Sequence, residues 1–192
     1  MVLTGIAGTK NNIKGSIYMN IKATDELTEV FNSGAADRFN TAKHTDSLEI
    51  LEILAYDPDV QIRRAVAYNK NTPESLLIDL AEDNDADIQM YVAANPNTPS
   101  EVLSKIITTD NSKALRAATV NPNITSELLG ILSSNDDTRV RSAVAANEKT
   151  PVEVLKKMAK DKDAVVRYYA TNTLHMLQDK KKEARRIPFW RR

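Results

Sequence analysis

Apolar residues return along this chain on a long beat. Leu51, Leu77, Leu103, Leu129 and Leu155 stand 26 residues apart. Beside them run Ile50, Leu76, Val102, Leu128 and Val154, and one helical turn on come Leu54, Leu80, Ile106, Leu132 and Met158. Spacings of three and four place each such group on one stripe of a short helix of about nine residues, helix B. The other half of the period carries Ile62, Ile88, Ala114, Val140 and Val166, followed four residues later by Val66, Val92, Ala118, Val144 and Ala170. That i, i+4 pair marks the buried side of a second helix, helix A. Small neighbours (Ala65, Ala67, Ala93, Ala117, Ala143, Ala145) let helices approach closely. A unit this short buries its apolar side only against copies of itself, so the pattern predicts an all-α solenoid of stacked helix pairs.

The polar residues punctuate the same beat. Asp59, Asp85, Asn111, Asp137 and Asp163 precede helix A as N-caps. Thr72-Pro73, Thr98-Pro99 and Thr150-Pro151 predict a Thr cap and a Pro in the first helical position of helix B. The third repeat lacks that pair and must use Asn123 or Thr125. Asn69, Asn95, Asn121 and Asn147 form a row read as structural, either left-handed at the helix end or bonded to its own turn or the next repeat.

The ends depart from the pattern, as solenoid caps do. Residues 1–18, with Gly5, Gly8 and Gly15, read as a flexible leader. Residues 19–56 hold an N-terminal helix over 24–33, capped by Thr24 or Asp25, and a degenerate capping repeat in which Arg38 to Lys43 lie 26 residues before Arg64 to Asn69. Four repeats fill 57–160. A capping helix over 161–178 continues one stripe through Val166, Tyr169, Ala170, Leu174 and Leu177, and 179–192 form a basic aromatic tail.

Composition narrows the chemistry. The formal net charge is zero, yet residues 1–110 hold 9 Lys+Arg against 17 Asp+Glu and residues 111–192 hold 17 against 9. In a solenoid such a split separates acidic and basic ends in space. With no cysteine, thiolate metal sites and disulfides are excluded, which suits a reducing compartment. No run approaches the ~18–20 apolar residues of a membrane span. The expectation is a soluble cytoplasmic protein with no cofactor and no small-molecule substrate.

Residues 57–160 resemble the variant leucine-rich repeats, relatives of the HEAT and armadillo solenoids. The resemblance rests on Arg63, Arg64, Val66 and Ala67 of helix A, on Asn95 to Pro99 of the turn, and on Leu77, Leu103 and Leu155 of helix B. It implies short helix pairs in a right-handed superhelix and no single shared activity. Some members carry a cysteine-ligated iron–sulfur cluster, which this chain cannot.

Candidate contact residues follow from what the repeat leaves over. Arg63, Arg141 and Arg167 share one column and Arg64 and Arg116 the next, suited either to salt bridges with Asp of neighbouring repeats or to phosphate and carboxylate recognition. Gln89, Met90, Leu115 and Ser142 interrupt those rows, and Met90, Leu115 and Val120 suggest an apolar contact in the middle repeats. The last 14 residues carry 7 Lys+Arg against 2 acids and the chain's one Trp. The partner-binding set is therefore Arg64, Met90, Leu115, Arg116, Arg139, Tyr168, Arg185, Arg186, Phe189, Trp190 and Arg191. His44 and His175 lie at opposite ends and no Gly-rich phosphate loop is present, which argues against an enzyme. The reading is a non-enzymatic protein-interaction scaffold or inhibitor. Its alternative is nucleic-acid binding through the basic half, with base excision, known among HEAT-like solenoids, as a remote enzymatic option.

Overall fold

The computed structural model describes residues 29–30 and 32–186. The A helices are α1 (Ala35–His44), α3 (Val60–Tyr68), α5 (Ala86–Ala94), α7 (Ser112–Val120), α9 (Thr138–Ala146) and α11 (Ala164–Arg186). The B helices are α2 (Leu48–Leu54), α4 (Glu74–Leu80), α6 (Ser100–Ile106), α8 (Ser126–Leu132) and α10 (Val152–Met158). There are no strands among the described residues. The leucine column and both A-helix columns are fully inaccessible at every one of their positions. They form one continuous core between two rows of helices.

The A caps form as the sequence predicts. Asp59, Asp85, Asn111, Asp137 and Asp163 each accept a hydrogen bond from a first-turn N–H. The Thr-Pro pairs act differently. Thr72 and Thr150 are buried and donate to the Val66 and Val144 carbonyls at 2.6 and 2.7 Å, and Thr98 donates likewise to Val92. Each closes the end of helix A instead of capping helix B, because a buried hydroxyl must find an acceptor and the last carbonyls of a helix are free. Pro73, Pro99 and Pro151 then occupy the N-cap themselves, and the B helices run seven residues, not about nine. In the third repeat Ile124 fills the buried Thr slot and Thr125 caps α8 through the Leu128 N–H.

The asparagine row stitches repeats together. Asn95 donates from Nδ2 to the Ala67 and Asn69 carbonyls, each at 2.9 Å, and accepts from the Asn97 N–H. Asn69 and Asn121 repeat this, and Asn147 reaches back to Thr119. The left-handed alternative does not occur: Asn69, Asn95, Asn121 and Asn147 are extended, with φ between −65° and −85°. An extended backbone is what aims the amide at the preceding layer.

A second stitch explains the interrupted arginine row. Arg63 bonds Asp83 of the next loop and Arg141 bonds Asp161, while each also donates to carbonyls of its own preceding loop. Where the helix residue is neutral, Gln89 or Leu115, the loop residue 20 further on is neutral too, Thr109 or Asn135. Charge is gained or lost in pairs, as expected where a lone buried charge is costly. Arg141→Leu alone, which strands Asp161 beside a side chain only 5% exposed, should cost about 2–4 kcal/mol. The double change Arg141→Leu/Asp161→Asn copies the third repeat and should recover most of that loss in a denaturant titration.

The N-terminal cap keeps this stitch at a shifted register. Arg38 bonds Asp57, the counterpart of Asp83, and Ala42 is fully buried. Arg38 thus takes the role of Arg63 at a spacing of 25, not of Arg64 at 26, and that one-residue slip is why the cap looks degenerate in sequence. At the other end α11 does not stop at Gln178 but continues to Arg186. No Asn-Pro turn breaks it: Thr173 stands in the Asn row and bonds the Ala145 carbonyl from within the helix. Thr171 and Arg167 are exposed although Ala67, Ala93, Thr119 and Ala145 of the Thr171 column are buried, which gives the stack a polar end.

Candidate functional site: the open face of the A row

Successive A helices pack directly on one another, whereas successive B helices meet little. The A helices therefore form one continuous wall of the stack. Each A helix turns one side to the core, one to each neighbour and one to solvent. The solvent side repeats every 26 residues: Arg64, Met90, Arg116, Ser142 and Tyr168 form a single row, with Asp87, Lys113, Arg139 and Val165 beside it. The structure thus brings Arg64, Met90, Arg116, Arg139 and Tyr168 of the predicted set onto one wall.

Leu115 does not belong there. It is 2% exposed, in the column of Arg63 and Arg141 that faces the next repeat, so it is a packing residue and not a contact residue. Met90 is only half exposed. Arg185 and Arg186 close α11. Phe189, Trp190 and Arg191 lie outside the described residues.

The wall is uneven along its length. At its N-terminal end Phe39, Tyr68 and Tyr91 line a shallow cleft of about 220 Å³ together with Lys43, Gln61, Arg64 and Ala65. Tyr68 and Tyr91 meet edge to face with centroids 5.7 Å apart. Sequence reasoning missed this cleft; the one signal for it is that Tyr68 is aromatic where the aligned positions are Ala94, Val120 and Ala146. At the C-terminal end Val165, Tyr168, Tyr169 and Met176 of α11 are between 41% and 62% exposed, and Tyr168 and Tyr169 again meet edge to face.

The middle is cationic, and its charges are unequally matched. Arg64 holds Asp85 through two bonds of 2.9 and 2.7 Å and also approaches Asp87 at 3.2 Å. Lys113 pairs with Asp87 at 2.9 Å. Arg116 has the same place on its helix as Arg64, and the residue corresponding to Asp85 is Asp137. That carboxylate is instead taken by Arg139 at 2.8 Å. Among the described residues no carboxylate pairs with the exposed Arg116 guanidinium.

These contacts set the acid behaviour. The bonds from Arg64, with help from the Ile88 and Asp87 N–H groups, hold the Asp85 carboxyl down to about 2. Arg139 holds Asp137 well below the usual carboxylate range. A carboxylate whose folded value lies below its unfolded value of about 4 stabilises the fold above that pH, and the stabilisation is lost as pH falls toward 2. The melting temperature should therefore drop through that window, and Arg64→Gln should flatten the drop. An unchanged acid slope in the variant would mean that the Arg64–Asp85 pair contributes nothing.

A solved structure described as a leucine-rich repeat variant with a novel repetitive protein structural motif superposes on this chain with a TM-score of 0.62. The chain has the leucine-rich repeat variant fold. The superposition covers 84% of this chain and 71% of the other at 22% sequence identity, so the likeness is one of architecture. No family model matches the sequence. No curated protein matches it either. No group of three His, Cys, Asp or Glu able to hold a metal ion occurs among the described residues. No helix among them is long and apolar enough to cross a membrane.

Proposed function

We propose that this protein is a non-enzymatic scaffold or inhibitor that binds a protein partner along the open face of its A helices. Repeat solenoids fit that role in general, because stacking turns a short unit into an extended surface. One observation carries the reading: exposed apolar and aromatic residues gather on this wall, from Phe39 and Tyr68 through Val120, 72% exposed, to Val165 and Tyr168. The exposed B-row positions, by contrast, are mostly charged or small, with isolated Leu48, Ile78, Ile131 and Val152. Exposed apolar surface grouped on one face marks a contact site. Nucleic-acid binding has less to support it, since Lys113 and Arg139 already hold carboxylates and Asp85 and Asp87 sit in the same wall.

The test is a tagged pull-down from native lysate, with and without nuclease, compared with a Val120→Glu/Tyr168→Ala form. A discrete protein that survives nuclease and is lost in the variant is the expected result. Capture that disappears with nuclease would contradict the reading.

A further inference from the structure

We infer that the partner segment seated on this wall is acidic at its centre and apolar at both ends. The inference rests on the scaffold reading above and specifies the chemistry of its partner. Arg116 is the starting point: its helix position matches Arg64, yet Asp137, the carboxylate that would neutralise it, is engaged by Arg139. An exposed guanidinium with a fixed fork of donors and no internal partner is suited to a carboxylate from outside. Lys113, one turn before it, is already held by Asp87 at 2.9 Å, so Arg116 is the unmatched cation of the row.

The apolar anchors lie on either side of that centre. The aromatic cleft around Tyr68 and Tyr91 is on α3 and α5, and the Tyr168–Tyr169 pair is on α11, three layers beyond Tyr91. At ~8–10 Å per layer the two anchors are about 25–30 Å apart. An extended segment of about eight or nine residues spans that distance. The cleft takes one side chain of the segment's first end, Tyr168 and Val165 face the other, and Arg116 lies between. A phosphate backbone fits less well, because it offers nothing to the apolar ends and meets Asp85 and Asp87 at the first of them.

The probe is a pair of fluorescein-labelled synthetic peptides of about twelve residues, each with a Trp near either end. One carries Glu and the other Lys in the middle, and a single-stranded RNA of similar length serves as a third ligand. Binding to the full chain is read by anisotropy at low and moderate salt. The Glu peptide should bind more tightly than the Lys peptide. Arg116→Glu should weaken it about tenfold or more and reverse the preference. Tyr168→Ala should weaken both peptides alike. Both variants change exposed side chains, and an unchanged circular dichroism melt confirms that they are folded. Equal binding of the two peptides, no binding of either, or tighter binding of the RNA would overturn the proposed chemistry. A protein captured from lysate whose binding survives Arg116→Glu but not Tyr168→Ala would overturn it while leaving the scaffold reading intact.

Discussion

Truncating Leu103 to alanine is expected to cost about 2–5 kcal/mol. Leu103 sits midway along α6, is completely inaccessible, and belongs to the one column that stays leucine in every repeat. Its removal leaves a void between α6 and the A helices, which are held by their own caps and stitches and cannot collapse to fill it. For a chain of this size each kcal/mol moves the melting temperature by about 2–4 °C, so a drop of roughly 5–15 °C should appear in a thermal melt. An unchanged melt would mean that the repeat register is wrong.

Asn95→Asp should be at least as damaging although it changes no volume. Asn95 is 3% exposed and its amide donates to two carbonyls of the preceding layer. A carboxylate in its place turns both donated bonds into contacts between oxygens and buries a charge. The expected loss at neutral pH is about 3–6 kcal/mol. Asn95→Ala loses the bonds without the repulsion and should fall below it. The aspartate form should regain stability as pH falls. Its carboxyl, pushed above its unfolded value, stabilises the fold best when protonated, and that contribution is lost as pH rises. Equal stability of the Asp and Ala forms at every pH would show that the amide bonds to the preceding layer do not hold the stack.

Much of this architecture is legible in the sequence because each repeat solves the same packing problem. Fifteen core positions at a fixed spacing leave no alternative register, and Asp or Asn before helix A can do little but cap it. What could not be read came from roles that two residue types share. A Thr before Pro can cap the following helix or close the preceding one, and only its burial over the Val66 carbonyl decides between them. Leu115 looks like a break in an arginine row open to solvent. It is instead buried, with a neutral Asn135 at the position 20 residues on, because that column faces the next repeat. The site is harder still. Arg64 and Arg116 are equivalent in sequence, and the difference between a matched and an unmatched cation depends on which way Arg139 turns Asp137. The sequence pattern ends the capping helix too early because Leu177 closes the apolar stripe, not the helix. Lys182 with Asp179, and Lys180 reaching Glu148 in the loop after α9, support the continuing turns.

The claim that partners bind on the A row is tested most directly by a photo-crosslinking amino acid placed at one exposed position on each row. Val120 on α7 is 72% exposed on the A side and Ile131 on α8 is 63% exposed on the B side. Both lie in the same layer, so partner concentration and access along the stack are matched. Crosslinking of a protein at position 120 and not at 131 is the predicted result. Crosslinking at 131 alone would place the contact on the B helices and contradict the account.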